Sequence, residues 1–390
     1  MIICSRSQAL AFVTEKLHQL KQRKLAVLKQ TLFFASSLLL TGLVTSIPVK
    51  AQVSPPLLLS QEQANAQLNQ LLRRGRELAD AGDYGGAIAI YQQATSLDGR
   101  NAKIFSGIGY LQTRQGNFRD AARAYQQAAA LDPNNPEFHY ALAYSLASAG
   151  DNSGAASAYR RAIQLNGKNV NYYYGLGAVL LREEDYEGAI AAYRQVLNLE
   201  PRNASVYELI GQVLLDRDRP QEAVKALQQA VTLAPRQSSA QMRLGLAWMR
   251  QGNKTAALDA FEKAAQLDPN SAQVFLQMGK LLQAQTDLSG AVEAFERAIA
   301  LQPNSVEAQA AIGEIYLSQE NYIEAIVAYR RLTEIAPQDP KAYYNLGLAL
   351  KGRDRTTEAI AAIEKARDLY KRQGNSQGVR QAESLLRELK

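Results

Sequence analysis

The chain has little of the chemistry on which most catalytic and metal sites depend. Its 390 residues include one cysteine, Cys4, and two histidines, His18 and His139. One cysteine excludes an intramolecular disulfide, and so few thiols and imidazoles argue against the usual zinc ligand sets and against triads built on cysteine or histidine. We therefore predict that the protein is not an enzyme and binds no metal or cofactor.

The chain also lacks a basic surface of the kind that binds nucleic acid. Its formal net charge is +7, but residues 1–51 hold seven Lys or Arg and a single acid, Glu15. The remaining residues carry a net charge of +1. A nearly neutral surface has no general attraction for phosphate backbones, so we predict no nucleic-acid partner.

Residues 1–51 have the pattern of an export signal. A basic stretch from Lys16 to Lys29 precedes an apolar run from Leu32 to Ile47, and Val49-Lys50-Ala51 matches the small-residue cleavage rule. This pattern predicts cleavage before Gln52. An uncleaved anchor is the alternative, because the run from Thr31 to Val49 approaches the length that spans a bilayer. Both interpretations place the rest of the chain outside the cytoplasm.

Residues 68–373 consist of nine copies of one 34-residue pattern, with no insertion or deletion. An alanine marks the same phase in every copy, and the residue twelve positions before it is a glycine or, once, Ala143. The alanines are Ala87, Ala121, Ala155, Ala189, Ala223, Ala257, Ala291, Ala325 and Ala359. Two small residues at constant phase predict two helices that cross closely in each copy.

Each copy carries two stripes of apolar residues at helical spacing. In the copy from Ala102 to Asn135 these are Phe105, Ile108 and Gly109, then Ala121, Tyr125 and Ala128. Gly116-Asn117 separates the stripes and Pro133 follows the second, as expected where helices end. The pattern predicts a helix-turn-helix in every copy.

This pattern resembles the tetratricopeptide repeat (TPR), whose signature combines Leu-Gly or Leu-Ala, a later alanine, an aromatic residue and a closing proline. The resemblance covers nearly four fifths of the chain, and Leu227 and Ile363 are local departures at the aromatic position. It implies an all-α fold, a TPR solenoid that forms a right-handed superhelix of nine repeats. Residues 52–67 are then a linker, with Ser60 and Gln63 as a capping box that opens the first helix.

The residues after the last repeat predict one more helix. Within residues 374–390, Gly374-Asn375 stops the last repeat helix and a final helix is predicted from Ser376 to Leu389. Its apolar stripe consists of Val379, Ala382, Leu385, Leu386 and Leu389. This stripe resembles the helix with which TPR arrays cover their exposed end. A helix that docks to another protein is the alternative.

The resemblance also implies a groove lined by positions 2, 5, 6, 9, 12 and 13 of each first helix, here called the groove positions. The predicted partner-binding residues at these positions are Tyr110, Tyr140, Tyr144, Tyr174, Arg114, Arg182, Met242, Arg243 and Arg250. Gly107 and Gly175 are expected to leave space beside the rings. Tyrosine and arginine are frequent at binding hot spots. Alternatively, the tyrosines only pack neighbouring first helices together.

Other polar or aromatic residues are assigned to packing or to solvated loops. His139 falls at a large packing position of its repeat, equivalent to Phe105 and Tyr173. The acidic pairs near Glu183 and Asp216 lie where a first helix gives way to a turn. Second-helix tyrosines such as Tyr159 are predicted to belong to the core.

These observations predict a non-catalytic scaffold of the cell envelope that holds an extended peptide or a helix of a protein partner in the groove. A periplasmic TPR component of polysaccharide export or outer-membrane assembly, in contact with envelope glycan, is the alternative. The repeat composition and the ending from Leu369 to Asn375 resemble exported cyanobacterial TPR proteins. That resemblance adds the thylakoid lumen to the periplasm as a location.

The export signal leads to a first prediction. Mass spectrometry of the protein from its native host should find Gln52 at the amino terminus, because the sequence before it satisfies the cleavage rule. An intact amino-terminal segment, recovered in the membrane fraction, would instead support the anchor.

Overall fold

The computed structural model of the chain describes residues 55–390, with side chains from residue 61 onward. The regular structure in this range is entirely helical and comprises nineteen α-helices. The predicted signal peptide at residues 1–51 lies outside the described residues. Within the described range, no helix has the length and apolar character that a membrane crossing requires.

The helices alternate between the first and second positions of the nine repeats. The first helices are α1 (Pro55–Asp80), α3 (Ala102–Gln115), α5 (Pro136–Ala149), α7 (Val170–Arg182), α9 (Ala204–Asp216), α11 (Ser238–Gln251), α13 (Ala272–Ala284), α15 (Val306–Ser318) and α17 (Pro340–Lys351). The second helices are α2 (Tyr84–Leu97), α4 (Phe118–Leu131), α6 (Asn152–Leu165), α8 (Tyr186–Leu199), α10 (Pro220–Leu233), α12 (Lys254–Leu267), α14 (Leu288–Leu301), α16 (Tyr322–Ile335) and α18 (Thr356–Arg372). The last helix is α19 (Ser376–Leu389).

The repeats fall into two compact units. The first unit ends at Val206 and the second extends from Tyr207 to Lys390. The boundary lies inside α9, so it does not coincide with a boundary between repeats. Within each unit, every helix packs against the next one along the chain.

Local capping interactions define the turns between paired helices. Gly116 adopts a left-handed conformation with φ 82° and ends α3, a conformation that costs glycine little. The next helix is opened by an N-cap in several repeats. Asp83, for example, accepts a hydrogen bond of 2.8 Å from the amide of Gly86 at the start of α2. These caps satisfy backbone groups that the helix ends leave unpaired.

The two small residues that marked the repeat lie where the helices cross. All nine second-helix alanines are completely buried. Each glycine that lies twelve positions before one of these alanines faces the large residue at the centre of the second helix of its own repeat. A Cβ on Gly109 would lie 2.9 Å from the ring of Tyr125, and one on Gly245 would lie 2.6 Å from that of Phe261. The predicted close crossing is therefore confirmed.

The first described helix differs from the sequence prediction. It begins at Pro55 and continues without a break to Asp80, so most of the predicted linker at residues 52–67 is helical and α1 does not open at Ser60. Proline is tolerated in the first turn of a helix, because the amide it lacks would have no intrahelical partner there. The Pro55-Pro56 pair was therefore a start signal.

Helix α19 packs against the last repeat. Leu385, Leu386 and Ala382 are buried in one cluster with Ile363 of α18. Lys351 of α17 also donates to Glu388 at 2.7 Å. The apolar stripe of α19 therefore covers a face that a tenth repeat would otherwise cover.

The close crossing predicts the effect of a larger side chain. Ala223→Leu should lower the free energy of unfolding by roughly 1 to 3 kcal/mol, because Ala223 is completely buried and the added atoms have no space. Urea unfolding of the variant measures this loss. Ala300→Leu, at an exposed position of α14, is the matched control and should change little. Equal effects in both variants would contradict the close crossing at Ala223.

Candidate functional site

The predicted groove tyrosines of the first unit belong to a layer of aromatic rings. The Tyr140 ring lies 5.2 Å from that of Tyr172 with an interplanar angle of 35°, and 6.0 Å from that of Tyr159. Tyr172 is completely buried and donates a hydrogen bond of 2.6 Å to Glu137. Helices α5, α6 and α7 thus meet through these three rings.

Two further groove tyrosines extend the layer. Tyr144 meets Phe118 edge-on, with ring centroids 6.3 Å apart and an interplanar angle of 77°. Tyr174 lies 6.3 Å from Tyr193 at an angle of 59°. Offset and edge-on contacts of this kind are favourable and restrict ring motion. Tyr140, Tyr144 and Tyr174 each remain partly exposed, so one side of the layer is accessible.

The environment of these rings also acts on their hydroxyl groups. Burial, together with the nearby Glu137 and Tyr144, raises the pKa of Tyr140 to about 12. Burial likewise raises the pKa of Tyr174 to about 12, although a hydrogen bond with Asn203 opposes the shift. Burial strongly raises the pKa of Tyr159. These phenols therefore stay protonated well above neutral pH.

The expectation of empty space beside these rings was wrong. A Cβ on Gly175 would lie 2.5 Å from the hydroxyl oxygen of Tyr159, and one on Gly107 would lie 3.2 Å from the ring of Tyr91. Both tyrosines come from the second helix of the preceding repeat. The glycines at this groove position are small because a core tyrosine passes beneath them.

Arg182 and Arg250 contact the backbone of the preceding repeat. Arg182 of α7 donates 2.9 Å to the carbonyl oxygen of Ala147, in the last turn of α5. Arg250 of α11 donates to the carbonyl of Leu215 in the last turn of α9. Carbonyls in a last turn lack intrahelical partners and sit at the negative end of the helix dipole. These two predicted site residues therefore tie successive first helices together.

Met242 and Arg243 are largely enclosed within the second unit. The Arg243 side chain is 12% exposed and lies 3.3 Å from the carboxylate of Glu208, which is 1% exposed. Gln237 also donates to Glu208. Met242 packs against the cluster around the fully buried Phe261. This part of the predicted site mainly joins α9 to α11.

Arg114 has a different environment. It is exposed, and its guanidinium donates 2.7 Å to the hydroxyl of Tyr84 and 3.1 Å to the hydroxyl of Tyr110. The guanidinium carbon also lies 5.2 Å from the Tyr84 ring centroid and 6.0 Å from that of Tyr110. Two rings thus orient one accessible cation, and sequence reasoning did not find the contribution of Tyr84.

Family models of the tetratricopeptide repeat match most of the chain. One matches six overlapping segments at residues 72–136, 107–170, 140–206, 174–236, 208–272 and 276–340, and a second matches residues 340–373. Together they cover far more than half of the sequence. The chain belongs to the tetratricopeptide-repeat family. The predicted all-α TPR fold class is confirmed.

Several solved TPR structures are similar to the chain. The C-terminal part of a TPR repeat-containing protein from Cytophaga hutchinsonii is 17% identical, with a TM-score of 0.54 over 61% of this chain and 98% of that one. YrrB, described as a TPR protein with an unusual peptide-binding site, is 26% identical, with a TM-score of 0.43 over 49% of this chain and 98% of that one. MamA is 25% identical, with a TM-score of 0.42 over 45% and 96%. No curated protein sequence matches the chain.

Family membership establishes a general role. TPR proteins are generally non-catalytic scaffolds for protein–protein interaction, and TPR domains bind peptide partners in their groove. Within residues 55–390, no group of three or more His, Cys, Asp or Glu side chains is placed to hold a metal ion. His139 is partly buried, and its Nε2 lies 2.9 Å from the carbonyl oxygen of Pro133. This contact joins His139 of α5 to the loop that precedes the helix.

The TPR groove positions of the second unit are linked by ion pairs between successive first helices. Lys341 of α17 donates to Glu314 of α15 at 2.5 Å, and Lys280 of α13 pairs with Glu307 of α15. With Glu208 and Arg243, three such pairs join neighbouring TPR repeats. A partner that engaged these charges would have to compete with contacts already made.

The TPR fold also forms a cavity away from the groove positions. It has a volume of about 510 Å³ and lies between inter-repeat loops of the first unit. Its lining residues are Asn166, Lys168, Asn169, Val170, Leu199 and Glu200. Because this cavity is open and its walls are mostly loop residues, it is not the predicted partner site.

The burial of Tyr140 predicts a pH dependence of stability. The tyrosine pKa is 10.0 without burial and about 12 for Tyr140 in the folded chain. Between these values the unfolded chain binds fewer protons than the folded one, so stability falls as pH rises from 10 to 12. Tyr140→Phe removes this contribution.

Urea unfolding of the wild-type chain and of Tyr140→Phe at pH 8 and pH 11 measures the effect. The stability of the wild-type chain relative to the variant should be about 1 kcal/mol lower at pH 11 than at pH 8. A difference that does not change with pH would show that the hydroxyl of Tyr140 is as hydrated in the folded chain as in the unfolded one.

Proposed function

We propose that the chain is a non-catalytic scaffold outside the cytoplasm that holds a segment of a protein partner at the groove positions of its first unit. The observation that carries this proposal is the partly exposed aromatic layer. Tyr110, Tyr140, Tyr144 and Tyr174 come from three successive first helices, α3, α5 and α7. A partner segment that runs across α3, α5 and α7 would contact an aromatic face on each of these helices.

Rigidity makes the layer suited to binding. The Tyr140 ring is held by Tyr159 and Tyr172, and the Tyr174 ring is held by Tyr193. Binding a partner to side chains that are already ordered costs less conformational entropy than ordering them on contact. The packing interpretation and the binding interpretation of these tyrosines are therefore compatible, since the packed side of each ring orients the exposed side.

The charge arrangement favours the first unit over the second. In the second unit, the largely buried groove-position charges of Glu208 and Arg243 are engaged with each other. Breaking this pair leaves a buried charge without its partner, which opposes binding. In the first unit, the groove presents aromatic faces and the exposed Arg114.

The location is proposed from the amino-terminal sequence. The basic stretch, apolar run and Ala51 site of residues 1–51 support export, and the lack of cysteine after Cys4 is compatible with an oxidising compartment. We propose the cell envelope as the location.

The proposal predicts the effect of removing the aromatic face. Changing Tyr140, Tyr144 and Tyr174 together to Ala should lower the affinity for the native partner by about 2 kcal/mol or more, the scale of a binding hot spot. The matching triple change to Phe keeps the rings and should retain most of the affinity. Co-purification from envelope extracts identifies the partner, and calorimetric titration measures each affinity.

Tyr344→Ala is the matched control, because Tyr344 occupies the same groove position as Tyr140 and Tyr174 but lies in the last repeat of the second unit. It should change the affinity little. Circular dichroism of every variant tests whether the helices persist. A folded triple Ala variant that binds as well as the control would contradict a partner site on the tyrosine layer.

A further inference from the structure

We infer that the partner segment is acidic and that Arg114 anchors one of its carboxylates beside the tyrosine layer. This inference rests on the proposed function and specifies the chemistry of the partner. Three arginines, Arg114, Arg182 and Arg250, share the thirteenth position of their repeats.

The same position serves two different purposes. Arg182 and Arg250 turn back to carbonyl oxygens in the last turn of the preceding first helix. Arg114 instead donates to two phenolic hydroxyls. Arg114 is exposed, as Arg250 also is, so the three arginines differ in their hydrogen-bond partners. Arg182 and Arg250 have a structural role, because they bind carbonyls of the preceding first helix. The guanidinium of Arg114 binds tyrosine hydroxyls, and its charge faces solvent.

The preceding repeat explains this difference. Tyr84 occupies the first residue of α2, where its hydroxyl reaches Arg114 of the next repeat. The equivalent residue is Asn152 in front of Arg182 and Pro220 in front of Arg250. Neither offers a long side chain that ends in a hydroxyl. Tyr84 therefore acts as a positioning residue for Arg114.

The guanidinium of Arg114 retains unused binding capacity. An arginine side chain has five N–H donors, and Tyr84 and Tyr110 each accept from one. Both acceptors are neutral, so the positive charge is not compensated by them. A carboxylate matches the remaining planar donors and can accept two parallel hydrogen bonds. The two nearby rings reduce the motion of the guanidinium that binding would otherwise have to restrict.

Charges at neighbouring groove positions favour an anionic ligand. Arg73 and Arg76 of α1 and Lys103 of α3 are exposed groove-position cations. Arg73 has Glu77 at 3.7 Å, but both side chains are about 70% exposed, so this pair is weak. Among the groove-position acids, Glu137 already accepts the hydroxyl of Tyr172, whereas Asp80 of α1 is exposed and offsets one of these cations. An acidic segment would thus be attracted by several cations, among which Arg114 is the one that donates to two tyrosine hydroxyls.

The experiment uses the full-length chain and random 12-residue peptides displayed on phage. Selected sequences should be enriched in Asp and Glu. One selected peptide is then labelled with fluorescein and compared, by anisotropy, with a copy in which every Asp and Glu becomes Asn and Gln. The acidic peptide should bind at least about tenfold more tightly than its Asn/Gln copy, and high salt should reduce this difference in affinity. Amidating the peptide's terminal carboxylate should change little, since side-chain carboxylates are the ligands.

Variants locate the anchor. Arg114→Gln should lower the affinity for the acidic peptide about tenfold and leave the affinity for the Asn/Gln copy unchanged. Tyr84→Phe keeps the ring but removes the hydroxyl, and should reduce both the affinity and its dependence on salt. Arg119→Gln is the matched control, because Arg119 is exposed in the same unit but lies on the second helix α4. It should bind like the wild-type chain.

The outcomes separate this inference from the proposed function. Peptides that carry no excess of acids, but lose affinity in the triple Tyr→Ala variant, would overturn the acidic partner and leave the tyrosine site intact. Acidic peptides that bind Arg114→Gln normally would overturn the anchor. Dependence on the terminal carboxylate alone would overturn recognition of side chains. If no peptide is selected, the proposed peptide site and the inference both fail.

Discussion

The contact between a glycine of the first helix and a large residue of the second is the interaction on which the structure depends. At Gly109, Gly177 and Gly313, a tyrosine ring from the second helix occupies the place where a Cβ would stand. Because no side chain separates the helices there, they cross closely and the ring is buried. Eight such contacts in constant phase, with Ala143 in place of the glycine in the remaining repeat, allow the same packing to recur along both units.

This contact also shapes the candidate site. The Tyr159 ring contacts Tyr140 of its own repeat and extends to Gly175, which occupies a groove position of the next repeat. The core and the groove surface are therefore two sides of one aromatic layer. A partner bound to the exposed side would rest on rings whose orientation is set by the helix crossing. The same packing that stabilises the first unit would preorganise it for the partner proposed above.

Regular spacing made most of the fold predictable. The period of 34 residues, the paired helices and the buried alanines such as Ala223 follow from local patterns that recur nine times. Two other predictions were less successful. The space expected at Gly175 is filled by Tyr159 of the preceding repeat, which only stacking brings there. The predicted linker before Leu68 is largely helical, because Pro55 suits a first turn and the helix continues from it. The predicted partner-binding role of the groove residues remains a prediction.

The sequence by itself determined the repeat, the helical class, the positions of close crossing and the scarcity of reactive side chains, because each is encoded in residue type and spacing along one chain segment. Only the tertiary structure decided what the groove residues contact. Arg114, Arg182 and Arg250 have the same residue type and phase, yet two bind backbone carbonyls and one binds two hydroxyls. Their different roles follow from the residue that the preceding repeat places beside them, and that proximity exists only after the repeats have stacked.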